Sequence, residues 1–434
     1  MNRNEWHSCQ INELAAVKGG KRLEKGEKFS DKPTPFPYIR VSDFKNFSVD
    51  TSNLKYLTPE IQSPISRYII NKEDVYISIA GTIGLVGAIP ACLDGANLTE
   101  NAARIVLNYS EEVDREFLVY YLASPEVQRN ITARKSKNAQ PKLALAQIKA
   151  LEILLPPLNE QKKIAYVLST VQRAIAQQEQ LIQTTTELKK ALMHKLFTEG
   201  LHGEKQKETA IGLVPESWDV VELSSCCELS TGTTPSTKNA DYYVGNNPFI
   251  KTNQIVNSKI SQAEILVSDE AVDKYNLKIF PPGTVLVAMY GQGKTRGQVA
   301  LLDIAASITQ NAGAITPRNS IIPEFLYYYL LSQYSRLRSS GMEGHISHLN
   351  LGFLGSFKIP LPSSIDEQKE IIRIIASLIK KIEVHASKRD VLQDLFQTLL
   401  HQLMTAQIRV HDIDLPGFDD LENITPQGSI QGSS

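Results

Sequence analysis

Between residues 164 and 196, apolar side chains return in alternating steps of four and three. Ile164, Leu168, Val171, Ile175, Ile182, Leu192 and Leu196 carry the series, with Gln178, Thr185 and Lys189 filling its polar places. The same rhythm runs through Ile371, Ile375, Leu378, Ile382, His385, Arg389, Leu392, Phe396, Leu399 and Leu403. This spacing puts one stripe along a helix and reads as a coiled-coil seam. At 1.5 Å per residue each helix is roughly 60 Å long. An apolar stripe of that length needs a partner, and each helix has the other as its nearest candidate. Antiparallel packing, with a globular module at each end, is therefore predicted. Asn159-Glu160-Gln161 and Asp366-Glu367-Gln368 supply capping and acidic residues for the two helix starts. Polar breaks in mid-seam fix register rather than add stability, so His385 reads as a seam or surface histidine and not a ligand.

The helices are the best-matched part of a chain written twice. Leu155-Pro156-Pro157 and Glu160-Gln161-Lys162 return as Leu361-Pro362 and Glu367-Gln368-Lys369; Leu192-Met193-His194 returns as Leu399-Leu400-His401. Upstream, Trp6 matches Trp218 and Pro37-Tyr38-Ile39-Arg40 matches Pro248-Phe249-Ile250-Lys251. Val75 to Gly81 matches Val285 to Gly291, and Leu98-Thr99-Glu100-Asn101-Ala102 matches Ile308-Thr309-Gln310-Asn311-Ala312. The globular segments are short β runs with Gly, Pro and Asn turns, plus a helix near 113–132 and its counterpart near 323–338. That is an α+β pattern. The expected organisation is a globular module at 1–153, a helical spacer at 154–203, a second module at 204–359, a second spacer at 360–410 and a disordered tail at 411–434. Residues 200–215 read as a loop.

Composition narrows the function. Apolar residues make up 42% and charged residues 21%, a globular profile. No apolar run is long enough to span a bilayer and the first residues lack a signal-peptide core, so a cytoplasmic location is expected. Cys9, Cys92, Cys226 and Cys227 lack zinc-ligand spacing, and the adjacent pair reads as half-buried strand residues. Net charge of −1 gives little overall attraction for phosphate, yet Arg129, Arg134, Lys135, Lys137 and Lys142 form a run without acids.

Catalytic motifs are missing. Gly291-Gln292-Gly293-Lys294-Thr295 resembles a phosphate loop, but the pattern needs glycine where Ala288 stands. Asn246-Asn247-Pro248-Phe249 lacks the second proline of the amino-methyltransferase signature and has no glycine-rich cofactor motif upstream. No enzyme activity, metal or cofactor is expected.

Two globular modules, each followed by a long helix that opens Leu-Pro…Glu-Gln and closes on a Leu-Met-x-x-Leu pattern, resemble the type I restriction–modification DNA-specificity subunits. The matching segments are Leu155 to Lys163 with Leu192 to Thr198, and Leu361 to Lys369 with Leu399 to Val410. The resemblance implies two target-recognition domains for double-stranded DNA, held by helices that dock methyltransferase subunits (two of them) and, in a full complex, restriction/translocase subunits. A two-module coiled-coil scaffold that binds proteins rather than DNA is the alternative.

On the DNA reading, polar or cationic residues on recurring loops are the candidate contacts. They are Lys18, Lys21 and Arg22, matched by Thr233 and Thr234; Arg40 and Ser42, matched by Lys251 and Asn253; and Thr82, matched by Gln292, Lys294 and Arg296. The basic run Arg134, Lys135, Lys137, Gln140 and Lys142 is matched loosely by Arg336, Arg338, His345 and His348. Asn101 and Asn311 recur in strict register, which favours a side-chain-to-backbone bond over base reading.

Overall fold

The computed structural model describes residues 6–108, 112–134, 141–291, 293–339, 349–411 and 413–418. The chain forms two compact units, Met1–Gln177 with Lys388–Ser434 and Gln178–Ser387. The boundaries fall within both long helices, Leu158–Glu199 and Ile365–Met404, so each unit owns one half of each helix.

In the first unit, Ala15–Gly19, Ala102–Leu107, Val75–Ser78 and Val86–Ala88 form an antiparallel sheet in that order. The central strand Val75–Ser78 is buried on both faces, which explains its unbroken apolar run. Successive residues serve opposite sides: Val75 and Ile77 enter the core with Phe117 and Leu118, whereas Tyr76 packs with Ile39 and Leu98. A smaller sheet sets Pro37–Ile39 parallel to Ala96–Leu98, with Leu98 opposite Ile39. His7–Gln10 pairs antiparallel with Glu152–Leu155 and so ties the start of the chain to the residues that precede the helix.

The second unit repeats this plan. Cys227–Thr231, Ala312–Pro317, Val285–Ala288 and Val299–Leu302 follow one another in the sheet, and Asn247–Ile250 runs parallel to Ser307–Ile308. Val285 and Val287 join Phe325 in one core, while Leu286 and Ala288 join Ile250 and Ile308 in another. Asp219–Glu222 pairs with Lys358–Leu361 as its counterpart does. The structure thus bears out the α+β fold with an internal repeat.

The seam is real in both units. In the first, Ile164 and Leu168 share a core with Phe396, Leu400, Leu403 and Met404; in the second, Met193, Leu196 and Phe197 share one with Ile371 and Ile375. The start of one helix meets the end of the other, as an antiparallel pair requires. At the polar break Gln178 Oε1 lies 2.8 Å from His385 Nδ1, and these two residues, 207 apart, occupy the same position of the repeat. His385 is a seam residue.

Several details depart from expectation. The helix predicted at 113–132 is two, Arg115–Ala123 and Pro125–Arg134, because Pro125 disfavours the helical conformation at Ser124. Its counterpart is also two, Pro323–Ser332 and Tyr334–Ser339. The 200–215 loop contains a hairpin, Gln206–Thr209 with Gly212–Pro215. Cys226 closes a helical turn instead of lying in a strand, and both adjacent cysteines are buried. Residues 413–418, expected in the disordered tail, are docked: Lys163 Nζ donates to the carbonyls of His411 and Ile413 (both 2.9 Å), and Tyr166 donates to that of Pro416.

Candidate nucleic-acid interface

Backbone hydrogen bonds gather the sequence-predicted loops of each unit along one rim. In the first unit Thr99 N–H donates to Ile39 O at 3.0 Å, Lys21 N–H to Leu98 O at 2.9 Å and Gly20 N–H to Ala102 O at 3.1 Å. Ile79 N–H then donates to Asn101 O at 2.8 Å and Leu143 N–H to Ile79 O at 2.9 Å. Five segments, around residues 20–22, 39–42, 79–84, 98–102 and 142–143, become neighbours. In the second unit Thr309 N–H donates to Ile250 O at 3.0 Å, Met289 N–H to Asn311 O at 3.0 Å and Leu349 N–H to Met289 O at 3.1 Å. Thr231 Oγ1 donates to the carbonyls of Gln310 and Ala312. Gly20 and Gly232 hold the same place in this weave. A Cβ at either would collide with the carbonyls of Leu98 and Thr99 or with that of Ile308, so close approach dictates glycine.

The hairpin loops at the rim differ in length. Gly84 N–H returns to Ser78 O, whereas Gly297 N–H returns to Ala288 O, which makes the second loop three residues longer (nine steps against six). Gly81, Gly84, Gly291 and Gly297 all take left-handed φ values, which lets both loops turn sharply. The longer loop carries Lys294, which is exposed, and Arg296, whose guanidinium donates to Arg338 O at 2.8 Å.

The other candidates divide into exposed and committed groups. Lys21 is exposed, with Nζ 5.9 Å from the Tyr68 ring; Lys18 is exposed one step back on its strand, and Lys142 reaches the rim through a bridge to Ala80. Thr82, Thr233 and Ser42 are exposed. Arg22 lies 2.6 Å from Glu100. Burial alone would raise the Glu100 carboxyl, but Arg22, the backbone and Thr99 together hold it below the usual range. Arg40 is more tightly held, with Nε and a terminal nitrogen on the buried Asp43 (3.0 and 2.6 Å) and a further bond to Asn53 O. That fork-on-carboxylate geometry gives Arg40 a local structural task. Lys251 sits over the Tyr243 ring, Asn253 donates to Glu264, and Thr234 shares a hydroxyl bond with Thr309. Arg134 donates to Ala150 O. Lys135, Lys137, Gln140, Gln292, His345 and His348 lie outside the described residues.

The expectation for Asn101 and Asn311 is corrected: it is their backbone carbonyls, not their side chains, that are used in the weave. Sequence reasoning also passed over Glu100, the acidic partner within the first rim, and Tyr334, whose hydroxyl donates to Lys294 O and so pins the longer loop. Among the described residues there is no cluster of potential metal ligands, and no helix is long and apolar enough to cross a membrane.

Each unit is an α+β module packed on paired halves of two long helices, with a polar, cation-bearing rim, and the two modules share one plan. Residues 3–187 and 215–394 both match the family model of the type I restriction modification DNA specificity domain, and the chain belongs to that family. It is 25% identical over 388 residues to the candidate type I restriction enzyme MjaX specificity subunit of Methanocaldococcus jannaschii, covering 86% of this chain and 88% of that one. It is 30% identical over 126 residues to the EcoBI specificity subunit of Escherichia coli, covering 29% of this chain and 26% of that one. Its fold is similar to the crystal structure of a type I restriction–modification S subunit from M. genitalium, with TM-score 0.58 and 19% identity over 93% of this chain and 97% of that one.

Proposed function

We propose that the chain is the DNA-specificity subunit of a type I-like restriction–modification complex, reading a bipartite, asymmetric target and leaving catalysis to its partners. The observation that carries this reading is the rim built twice by the same backbone weave and furnished with different side chains: Lys21, Arg22 and Thr82 in one unit, Thr233, Lys294 and Arg296 in the other. Two modules of one fold with different surfaces suit two different half-sites. The modules at 1–153 and 204–359 do the reading, and the helical segments 154–203 and 360–410 set the spacing. Modules centred about one helical turn, ~10 bp, apart leave an unread spacer of about 5–8 bp. The site of action is the cytoplasm.

The helices also offer a repeated docking feature. Leu188 and Leu395, 207 residues apart, are 53% and 43% exposed on their helices. Large apolar side chains left in water at one repeat position suit two identical partner subunits, and methyltransferase subunits fill that role in this reading.

Binding of duplex DNA by the complex with methyltransferase subunits, followed by fluorescence anisotropy across a salt series, tests the assignment. Lys21→Ala and Lys294→Ala should each weaken binding and lower the slope of log K against log salt by about one. Salt-independent or undetectable DNA binding would favour the protein-binding scaffold instead.

A further inference from the structure

Asn101 and Asn311 stand out at the two rims because no structural reason for asparagine is visible. Asparagine is often selected for left-handed backbone, yet neither residue has positive φ. Asparagine also caps helices and closes turns through its side chain, yet among the described residues neither side-chain amide has a hydrogen-bond partner. Their carbonyls do the structural work, accepting from Ile79 and Met289, and any residue supplies a carbonyl. Both residues are half-buried, and neither side chain is among the fully buried polar groups that lack a partner. An amide in this setting is an unspent donor and acceptor.

What surrounds them differs between units. Glu100 precedes one and Gln310 the other; Lys21 and Arg22 stand where Thr233 and Thr234 do; one hairpin loop is three residues longer. Whatever two identical side chains touch in two otherwise different rims must be common to both half-sites. In duplex DNA the shared feature is the sugar–phosphate backbone, which positions a protein without carrying sequence. Glu100 would oppose a phosphate beside Asn101, and Arg22, 2.6 Å from that carboxylate, offsets its charge.

Resting on the DNA-specificity reading, we infer that Asn101 and Asn311 are positioning residues, each donating its side-chain amide to a backbone phosphate and so setting the register of its module on the duplex. The test uses the complex with methyltransferase subunits, its target duplex, duplexes changed at each recognised base pair, and an unrelated duplex. Asn101→Ala and Asn311→Ala should each bind about tenfold more weakly, the loss of one hydrogen bond to a charged acceptor. The same factor should be lost on every duplex. The salt slope should stay unchanged, because no cation is removed. The double variant should lose about a hundredfold, since the residues sit in separate units. Asn101→Asp and Asn311→Asp, which keep the side-chain shape and so preserve folding, should lose more by repelling phosphate.

Unchanged binding by all four single variants would overturn the inference, as would a loss confined to one base pair, which marks a base reader. Lys21→Ala and Lys294→Ala separate the two levels. If they weaken binding and the asparagine variants do not, only this inference falls; if neither set responds, the rim is not the DNA surface.

Discussion

A fragment ending near Gly203, combined with methyltransferase subunits, is expected to dimerise and to methylate an inverted repeat of the first half-site. The first unit is completed by the end of the second long helix, where Phe396, Leu400, Leu403 and Met404 enter its core. At the constant offset of 207 the fragment offers Lys189, Met193, Leu196 and Phe197 for those places. Three of the four substitutes are apolar, so a second copy can close the seam, and a twofold pair then presents two identical modules. The weak point is Lys189. Phe396 places its ring 5.6 Å from Phe47 and 6.0 Å from Tyr120, whereas burial in its own seam already pushes the Lys189 ammonium below its ordinary pKa. Lys189→Phe in the fragment should therefore tighten the dimer. Burying a phenylalanine at two equivalent places contributes about 2 kcal/mol each, hence roughly a thousandfold in dissociation constant. Sedimentation measures the dimer and methylation mapping reads the site; a monomeric fragment, or an asymmetric methylated site, contradicts the two-halves account.

Leu168→Asp should cost on the order of 4 kcal/mol and destabilise the first unit. Leu168 is fully buried in the seam among residues of both helices and the module. The substitution places an unpaired charge there and removes a well-packed side chain as well. The chain has two tryptophans, Trp6 in the first unit and Trp218 in the second, so Trp218→Phe leaves a fluorophore that reports the first unit alone. Urea unfolding of Leu168→Asp in that background should shift the Trp6 transition to markedly lower denaturant. An unshifted transition means the helices do not complete that core.

Periodicity made the architecture legible because it is a long-range regularity that single residues cannot hide. The stripe from Ile164 to Leu196 and the strict offset to Ile371–Leu403 gave helices, antiparallel pairing and the repeat, and the short β runs with their accompanying helices gave the α+β modules. Matched strands such as Val75–Ser78 and Val285–Ala288 were found for the same reason: both faces are buried, so apolar residues are required throughout. Local geometry was hidden. The longer hairpin at 289–296 escaped notice because a compensating shortening before Ile308 restores the offset of 210 seen at both Val285 and Ile308. Loops around residues 20–22, 79–84 and 98–102 were legible, but Lys18 lies in the strand Ala15–Gly19, Arg134 ends the helix Pro125–Arg134, and the bonds that join the loops were hidden. Nothing in the order of residues says that Arg40 closes on Asp43 three places on, that Arg22 reaches across 78 residues to Glu100, or that Asn101 contributes its carbonyl rather than its side chain. Such partners depend on which loops the sheets bring together.

The central claim, that this chain selects the sequence its complex modifies, is tested most directly by methylation-aware sequencing of genomic DNA with and without the chain. The account predicts one bipartite, asymmetric motif with an unread spacer of about 5–8 bp, methylated in the parent and unmethylated throughout in its absence. Loss of no motif, or loss of a continuous or symmetric one, would contradict it.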